Sequence, residues 1–169
     1  IVTPYIIPKH LTKKVNAGDG FIFDSAVKLI GYNPQHIFSS REALNEEKIK
    51  IINTTKILVI AGANILKDDL EIMTGFDLLT LKKIKIPIVL MGIGHYGLKV
   101  TNRNGLNLVS QNILNEIIDR FPLVSVRCCG SYEYLKKSVG ENIDAILNTS
   151  CPVIFKVDEL FKNYEKKKI

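Results

Sequence analysis

The sequence lacks any apolar run of the roughly 18 residues that a bilayer-spanning helix needs. Its longest apolar stretches, Ile57–Ala63 and Ile86–Ile93, have only the length of strands. The chain also lacks the basic segment, apolar stretch and small-residue cleavage site that together form an export signal. These absences disfavour membrane-spanning and secreted classes, and we expect a cytoplasmic protein.

Cysteine is scarce, and its spacing fits neither a disulfide framework nor a zinc site. Cys128 and Cys129 are adjacent and Cys151 is distant, which gives an odd number of thiols and no C-x-x-C pair. The three histidines stand at none of the spacings that would complete a Cys–His metal site. We therefore predict reduced thiols, no bound metal and no cofactor.

Arginine is scarce as well, with four residues against 19 lysines. The formal net charge is +6, but four of the lysines crowd residues 162–168, where a solvated tail explains them. No basic stripe alternates with aromatic residues, and no nucleic-acid-binding motif is recognisable. The sequence therefore disfavours nucleic acid as a partner, while its charge fits a small anionic ligand.

What the sequence does contain is a regular alternation of short apolar runs and amphipathic stretches. Its 169 residues, 46% of them hydrophobic, suit a single globular domain spanning 1–169. The predicted strands are Ile1–Ile7, Gln35–Ser39, Lys56–Ala61, Ile86–Gly92, Leu123–Arg127 and Ile143–Leu147. The predicted helices are Asp19–Ile30, Ser39–Asn53, Phe76–Ile84, Leu106–Phe121, Ser131–Val139 and Asp158–Lys167. Ser39 and Glu42 have capping-box spacing at the start of the second of these helices.

This alternation predicts an α/β fold, with a doubly wound, mostly parallel sheet and helices on both faces, as in Rossmann-like domains. Such sheets bind ligands beyond the carboxyl ends of their strands. The loops of interest follow the predicted strands and are rich in glycine, asparagine, serine and aspartate. These residue types also form ordinary turns, so the composition of the loops does not assign a ligand.

Arg127 is the first candidate, because it ends a predicted strand just before the helix that begins at Ser131. A guanidinium can hold a carboxylate or phosphate with two parallel hydrogen bonds, and a helix N-terminus adds partial positive charge. The alternative is an arginine that pairs with a nearby carboxylate and fixes the loop. Cys128 beside it could form a low-pKa thiolate, although no histidine stands at a recognisable catalytic spacing from it.

Three further features have two interpretations each. Gly92, Gly94 and Gly97 match G-x-G-x-x-G, but no helix follows directly, so we interpret them as turn glycines rather than a dinucleotide site. His95 is either an acid–base group or a hydrogen-bonding loop residue. The segment Asn16–Asp19 either caps the first helix or contributes to a site.

Five segments in order carry a family resemblance. They are Asn16–Asp19, Ile57–Leu66, Pro87–Gly94, Ser125–Ser131 and Asn148–Pro152. Together they resemble the N-terminal half of the polysaccharide pyruvyl transferase family, whose pattern has an N-x-G-D turn, a G-G-G-x-x-L loop, a G-x-G loop, an S-x-R-D-x-x-S segment and a D-P step. The resemblance extends over nearly the whole chain.

The resemblance implies a lobe of a two-lobed, glycosyltransferase-B-like enzyme that transfers pyruvyl from phosphoenolpyruvate to two sugar hydroxyls as a ketal, in surface-polysaccharide synthesis. It implies phosphoenolpyruvate and a sugar or oligosaccharide acceptor as partners, and a second lobe or a second copy of the chain to complete the site. It assigns no catalytic residue. The resemblance and the positions of the loops after the predicted strands together indicate the expected substrate-binding residues. These are Asn16, Gly18, Asp19, Gly62, Gly94, His95, Arg127 and Ser131.

The sequence departs from the family pattern at three places. Only Gly62 remains of the triple glycine, Cys128 stands where the family has aspartate, and Cys151 precedes Pro152 where the family is acidic. No second lobe is evident, and the chain begins with isoleucine, so we expect a fragment, a subunit or a reduced homologue. Two alternatives therefore stay open: a non-catalytic binding or partner domain, and a glycosyltransferase lobe that binds a nucleotide sugar.

Overall fold

A computed structural model describes residues 1–3, 17–62, 64–95 and 105–156. Six strands of this part of the chain form one sheet in the order β2-β1-β3-β4-β5-β6, and every neighbouring pair is parallel. The strands are β1 Val2–Thr3, β2 Phe38–Ser39, β3 Leu58–Ala61, β4 Ile88–Ile93, β5 Val124–Val126 and β6 Ile146–Asn148. The helices are α1 Ala17–Ile30, α2 Glu46–Asn53, α3 Leu78–Lys83, α4 Leu108–Arg120 and α5 Cys129–Val139. The predicted α/β fold is confirmed.

The centre of the sheet is apolar on both faces, as expected of strands covered on both sides. All four residues of β3 are buried, and they pair in register with β4 from Leu58 opposite Ile88 to Ala61 opposite Met91. A bulge between Leu90 and Ile93 shifts the pairing of β4 with β5. Between these two pairs, β4 has one residue more than β5.

The two faces of the sheet carry different helices. Leu58 and Ile60 of β3 join the large core cluster with α2, α3, α4 and α5, whereas Val59 and Ala61 pack with Ala26 of α1. The connection from β1 to β2 runs in the opposite direction along the sheet from the later connections. With right-handed crossovers, that reversal places α1 on one face and the other four helices on the other.

Helix α4 shows how the apolar pattern is converted into core packing. Its Ile113, Leu114, Ile117 and Ile118 are buried, while Leu108 at its start is 71% exposed. The buried residues recur at the spacing of one helical face, so the helix is amphipathic rather than apolar all round. Among the helices that the structure describes, none combines the length and apolar character that crossing a membrane would require.

Several predicted boundaries are wrong, and the main error is the capping box at Ser39. Ser39 lies in β2, and α2 begins after Asn45, whose side chain accepts the N–H of Lys48 at 2.9 Å. Glu42 instead forms an ion pair with Lys48 at 2.8 Å. The predicted strand over Ile143–Leu147 starts only at Ile146, because a 3-10 helix occupies Gly140–Ala145.

Other boundaries move by fewer residues, or lie outside the described part of the chain. Helix α5 begins at Cys129 rather than at Ser131, so the serine lies in its first turn. The predicted strand over Gln35–Ser39 shrinks to two residues. The predicted helix over Asp158–Lys167 and residues 4–7 of the first predicted strand lie outside the described residues.

The cap of α3 predicts a pH dependence. Hydrogen bonds from Thr80, whose N–H lies 2.8 Å from the carboxylate, hold the pKa of Asp77 below its ordinary value. A lowered folded-state pKa contributes stability that is present above the unfolded pKa and lost as the pH falls through the folded one. In Asp77→Asn, which keeps a capping side chain but does not titrate, we expect a smaller fall in Tm from about pH 5 to about pH 3 than in the wild type. Thermal unfolding followed by circular dichroism measures Tm at both pH values. An equal fall in Tm in the wild type and in Asp77→Asn would contradict a stabilising role for the ionised Asp77 cap.

Candidate functional site

The carboxyl ends of the parallel strands meet at one edge of the sheet, which brings together loops that are distant in sequence. The loop after β3 contributes Asn64, β4 leads into Gly94 and His95, and β5 leads into Arg127 and α5. Backbone hydrogen bonds join these loops: Leu66 N–H donates to Gly94 O, and Arg127 N–H donates to Ile93 O. The strand order reverses between β1 and β3, and the crevice of such a sheet lies at that point.

Arg127 crosses the end of β4 towards that crevice. Its guanidinium donates a hydrogen bond to Asn64 Oδ1 in the loop after β3. The side chain lies over Gly94, where an added Cβ would stand 2.8 Å from Cζ and 2.9 Å from Cδ of the arginine. Gly94 therefore provides the space in which the guanidinium rests. Among the described residues, no carboxylate lies within ion-pair distance of Arg127.

His95 lies beside this arginine, held by the first turn of α5. Its backbone N–H donates to Ser131 Oγ at 3.0 Å, and its Nδ1 lies 3.2 Å from the same oxygen. A Cβ added at Gly130 would stand 3.0 Å from Cε1 of the imidazole, and the ring of Tyr134 stacks against the imidazole with the two ring centroids 6.2 Å apart. The imidazole is thus fixed in orientation while remaining partly exposed.

Tyr134 anchors that arrangement from inside α5. Its hydroxyl donates to the carbonyl of Lys67 in the loop after β3. Burial, together with the charges of Asp68 and Asp69, raises the pKa of Tyr134 to about 12. The phenol therefore stays protonated at neutral pH and acts as a fixed donor that holds the loop against the helix.

Cys128 occupies the N-cap position of α5, and its Sγ lies 3.2 Å from Ser131 Oγ. Partial burial alone would raise the pKa of the Cys128 thiol. Interactions with the Ser131 hydroxyl, with the backbone N–H groups of Ser131 and Gly130 and with the Arg127 charge outweigh burial and lower that pKa below its ordinary value. The site thus favours a negative charge at this position.

The contacts of two other predicted residues, Asp19 and Gly62, are different from those of this group. Asp19 in the first turn of α1 approaches Arg41 at 3.7 Å, and burial raises its pKa although Arg41 opposes that effect. Gly18 precedes it in the same turn. Gly62 follows β3 with a positive φ of 33°, and an added Cβ there would collide with Ile22 of α1. Asn16 lies outside the described residues.

The structure therefore brings together Gly94, His95, Arg127 and Ser131, and gives Gly62 a packing role at the α1–β3 contact. Sequence reasoning missed Asn64, which stands at an unspecified position of the G-G-G-x-x-L loop, and Tyr134, which lies one turn after Ser131. The assembled group offers a guanidinium, an imidazole and the N-terminus of an eleven-residue helix. These groups can bind a small anion with carboxylate or phosphate oxygens.

A cavity of about 300 Å³ lies elsewhere, on the sheet face that carries α1. Its lining is mostly apolar and includes Leu29, Met91, Leu123 and Phe155. Because none of the anion-binding groups reaches it, this cavity does not belong to the candidate site.

Two further searches concern metal ligands among the described residues and similarity to known proteins. In the part of the chain that the structure describes, no three His, Cys, Asp or Glu side chains stand together as metal ligands would. Comparison of the chain with protein-family models, with curated proteins and with solved structures finds no match.

Proposed function

We propose that the chain is a pyruvyl transferase-like lobe that binds phosphoenolpyruvate at the carboxyl edge of its sheet. The observation that carries the proposal is the position of Arg127, which lies over Gly94, points towards the crevice and has no carboxylate partner among the described residues. An arginine that only fixed its loop would be expected to pair with an acid.

The donor has the chemistry that these groups recognise. Phosphoenolpyruvate carries a carboxylate and a phosphate, so it needs several donors of positive character. A guanidinium can hold one anionic group with two hydrogen bonds, and the N–H groups at the start of α5 can donate hydrogen bonds to a second anionic group. Ser131 in the first turn of α5 fixes His95, with its Oγ 3.0 Å from the backbone nitrogen and 3.2 Å from Nδ1. An imidazole in this position can serve as the acid–base group that the departing phosphate requires.

The rest of the reaction would need groups beyond those described. Transfer to a sugar requires a base for the acceptor hydroxyl and a proton for the methylene carbon of the donor. We propose that a second lobe of a glycosyltransferase-B-like architecture, or another copy of the chain, supplies them. The three free cysteines support a reducing, cytoplasmic location, where such a donor would be used.

The experiment is a thermal-shift titration with millimolar phosphoenolpyruvate. At about 100 times its Kd, a ligand stabilises the folded state by about 2.7 kcal/mol, which raises the Tm of a domain of this size by about 5 to 10 °C. We expect this shift in the wild type and its loss in Arg127→Ala.

The matched control is Arg120→Ala, which removes the same charge at the opposite edge of the sheet. Arg120 ends α4 and binds Glu116 at 2.7 Å, so its loss should lower Tm but leave the ligand-induced shift unchanged. Equal shifts in the wild type and in Arg127→Ala would contradict the proposed site. A shift with a nucleotide sugar and none with phosphoenolpyruvate would favour a glycosyltransferase lobe instead.

A further inference from the structure

Three side chains form a hydrogen-bonded row at the start of α5. Ser131 Oγ lies 3.2 Å from Cys128 Sγ on one side and 3.2 Å from His95 Nδ1 on the other. The same oxygen accepts the backbone N–H of His95 at 3.0 Å. Ser131 is fully buried, so its hydroxyl has no competing solvent. The row connects a nucleophilic atom to a base through one fixed hydroxyl.

The hydrogen bonds of this row can be satisfied in two directions. With a neutral thiol, Sγ–H donates to Ser131 Oγ, and the serine O–H donates to His95 Nδ1. With a thiolate, the serine O–H donates to sulfur, and a protonated Nδ1 donates to the serine. Each arrangement uses the serine as one donor and as a double acceptor, which is its full capacity. A proton can therefore pass from sulfur to imidazole with no hydrogen bond lost.

We propose that Cys128 is a peroxide-reactive nucleophile whose proton passes through Ser131 to His95. In the reaction, the sulfur attacks one oxygen of a hydroperoxide, an S–O bond forms and the O–O bond breaks. Sulfur gives up two electrons and becomes a sulfenic acid, while the departing oxygen takes the proton from His95 and leaves as water or an alcohol. Arg127 stands beside the cysteine and stabilises the developing oxyanion. The inference does not depend on phosphoenolpyruvate binding.

Cys129 provides an internal comparison, because it is the next residue and is more exposed. If access controlled reactivity, Cys129 would react first. No contact with Ser131 or His95 is found for it in the described structure. If the row controls reactivity, the half-buried Cys128 reacts first, because the thiolate is the reacting species.

The experiment compares two proteins with one cysteine each, Cys129→Ser/Cys151→Ser and Cys128→Ser/Cys151→Ser. Each is treated with hydrogen peroxide in the presence of dimedone, which traps sulfenic acid, and adduct formation is followed by intact mass. At neutral pH we expect the protein that keeps Cys128 to be trapped about tenfold faster, because its lowered thiol pKa raises the fraction present as thiolate.

Substitutions in the protein that keeps Cys128 then test the row itself. Ser131→Ala and His95→Asn should each lower the rate about tenfold, since each interrupts the transfer to the imidazole. His36→Asn makes the same change at an exposed histidine before β2, away from the row, and should alter the rate by less than about twofold. Because Ser131 is buried, His95→Asn is the deciding variant if Ser131→Ala fails to fold. Equal trapping of Cys128 and Cys129, or an unchanged rate in His95→Asn, would overturn the proposal.

Discussion

Leu114→Ala should lower the free energy of unfolding by about 3 to 4 kcal/mol, because it removes a fully buried side chain from the centre of the core. Leu114 is 0% exposed and lies on the face of α4 that packs in the main cluster. Truncation there loses the transfer free energy of the deleted carbons and also leaves a cavity that the surrounding sheet cannot fill.

Leu108 provides a matched control on the same helix. It is 71% exposed, so Leu108→Ala makes the same chemical change without opening a cavity, and its effect should stay within about 0.5 kcal/mol. Urea unfolding followed by circular dichroism at helical wavelengths measures both variants, since the chain has no tryptophan to report by fluorescence. Similar losses in the two variants would show that α4 does not pack as described.

The apolar pattern predicted the centre of the fold well, because burial on both faces leaves a strong local signal. Every residue of β3 is buried, and the run over 56–61 could therefore be recognised without knowing its neighbours. Helix starts were predicted less well. Ser39 and Glu42 have capping-box spacing, but pairing of β2 with β1 keeps Ser39 in a strand, and Asn45 caps the helix instead.

The site was predictable as single residues but not as an assembly. Arg127 could be placed at a strand end from the sequence, and Ser131 near a helix start. Their contacts depend on β4 lying between β3 and β5, an order that no local pattern carries. The same order brings His95 to Cys128, whose histidine partner no sequence spacing revealed.

Gly92→Ala and Gly94→Ala should separate the roles of the two glycines at the carboxyl end of β4, one inside the strand and one just after it. Gly92 has a φ of 61°, and an added Cβ would stand 2.6 Å from Cδ of Pro152. Left-handed backbone costs an alanine about 1 to 2 kcal/mol, and overpacking costs about 1 to 3 kcal/mol more. We expect Gly92→Ala to lose about 3 kcal/mol of stability.

Gly94 does not require positive φ, and the group that its added Cβ would meet is the flexible end of Arg127. The guanidinium can move aside, so Gly94→Ala should cost about 1 kcal/mol or less in urea unfolding. Displacing the guanidinium also removes its hydrogen bond to Asn64 and its proposed hydrogen bonds to phosphoenolpyruvate. The phosphoenolpyruvate-induced rise in Tm should therefore disappear. If Gly94→Ala is stable and keeps the full phosphoenolpyruvate-induced rise in Tm, then Arg127 does not bind the donor. A Gly94→Ala as unstable as Gly92→Ala would mean that the arginine is part of the core packing rather than a ligand-binding group.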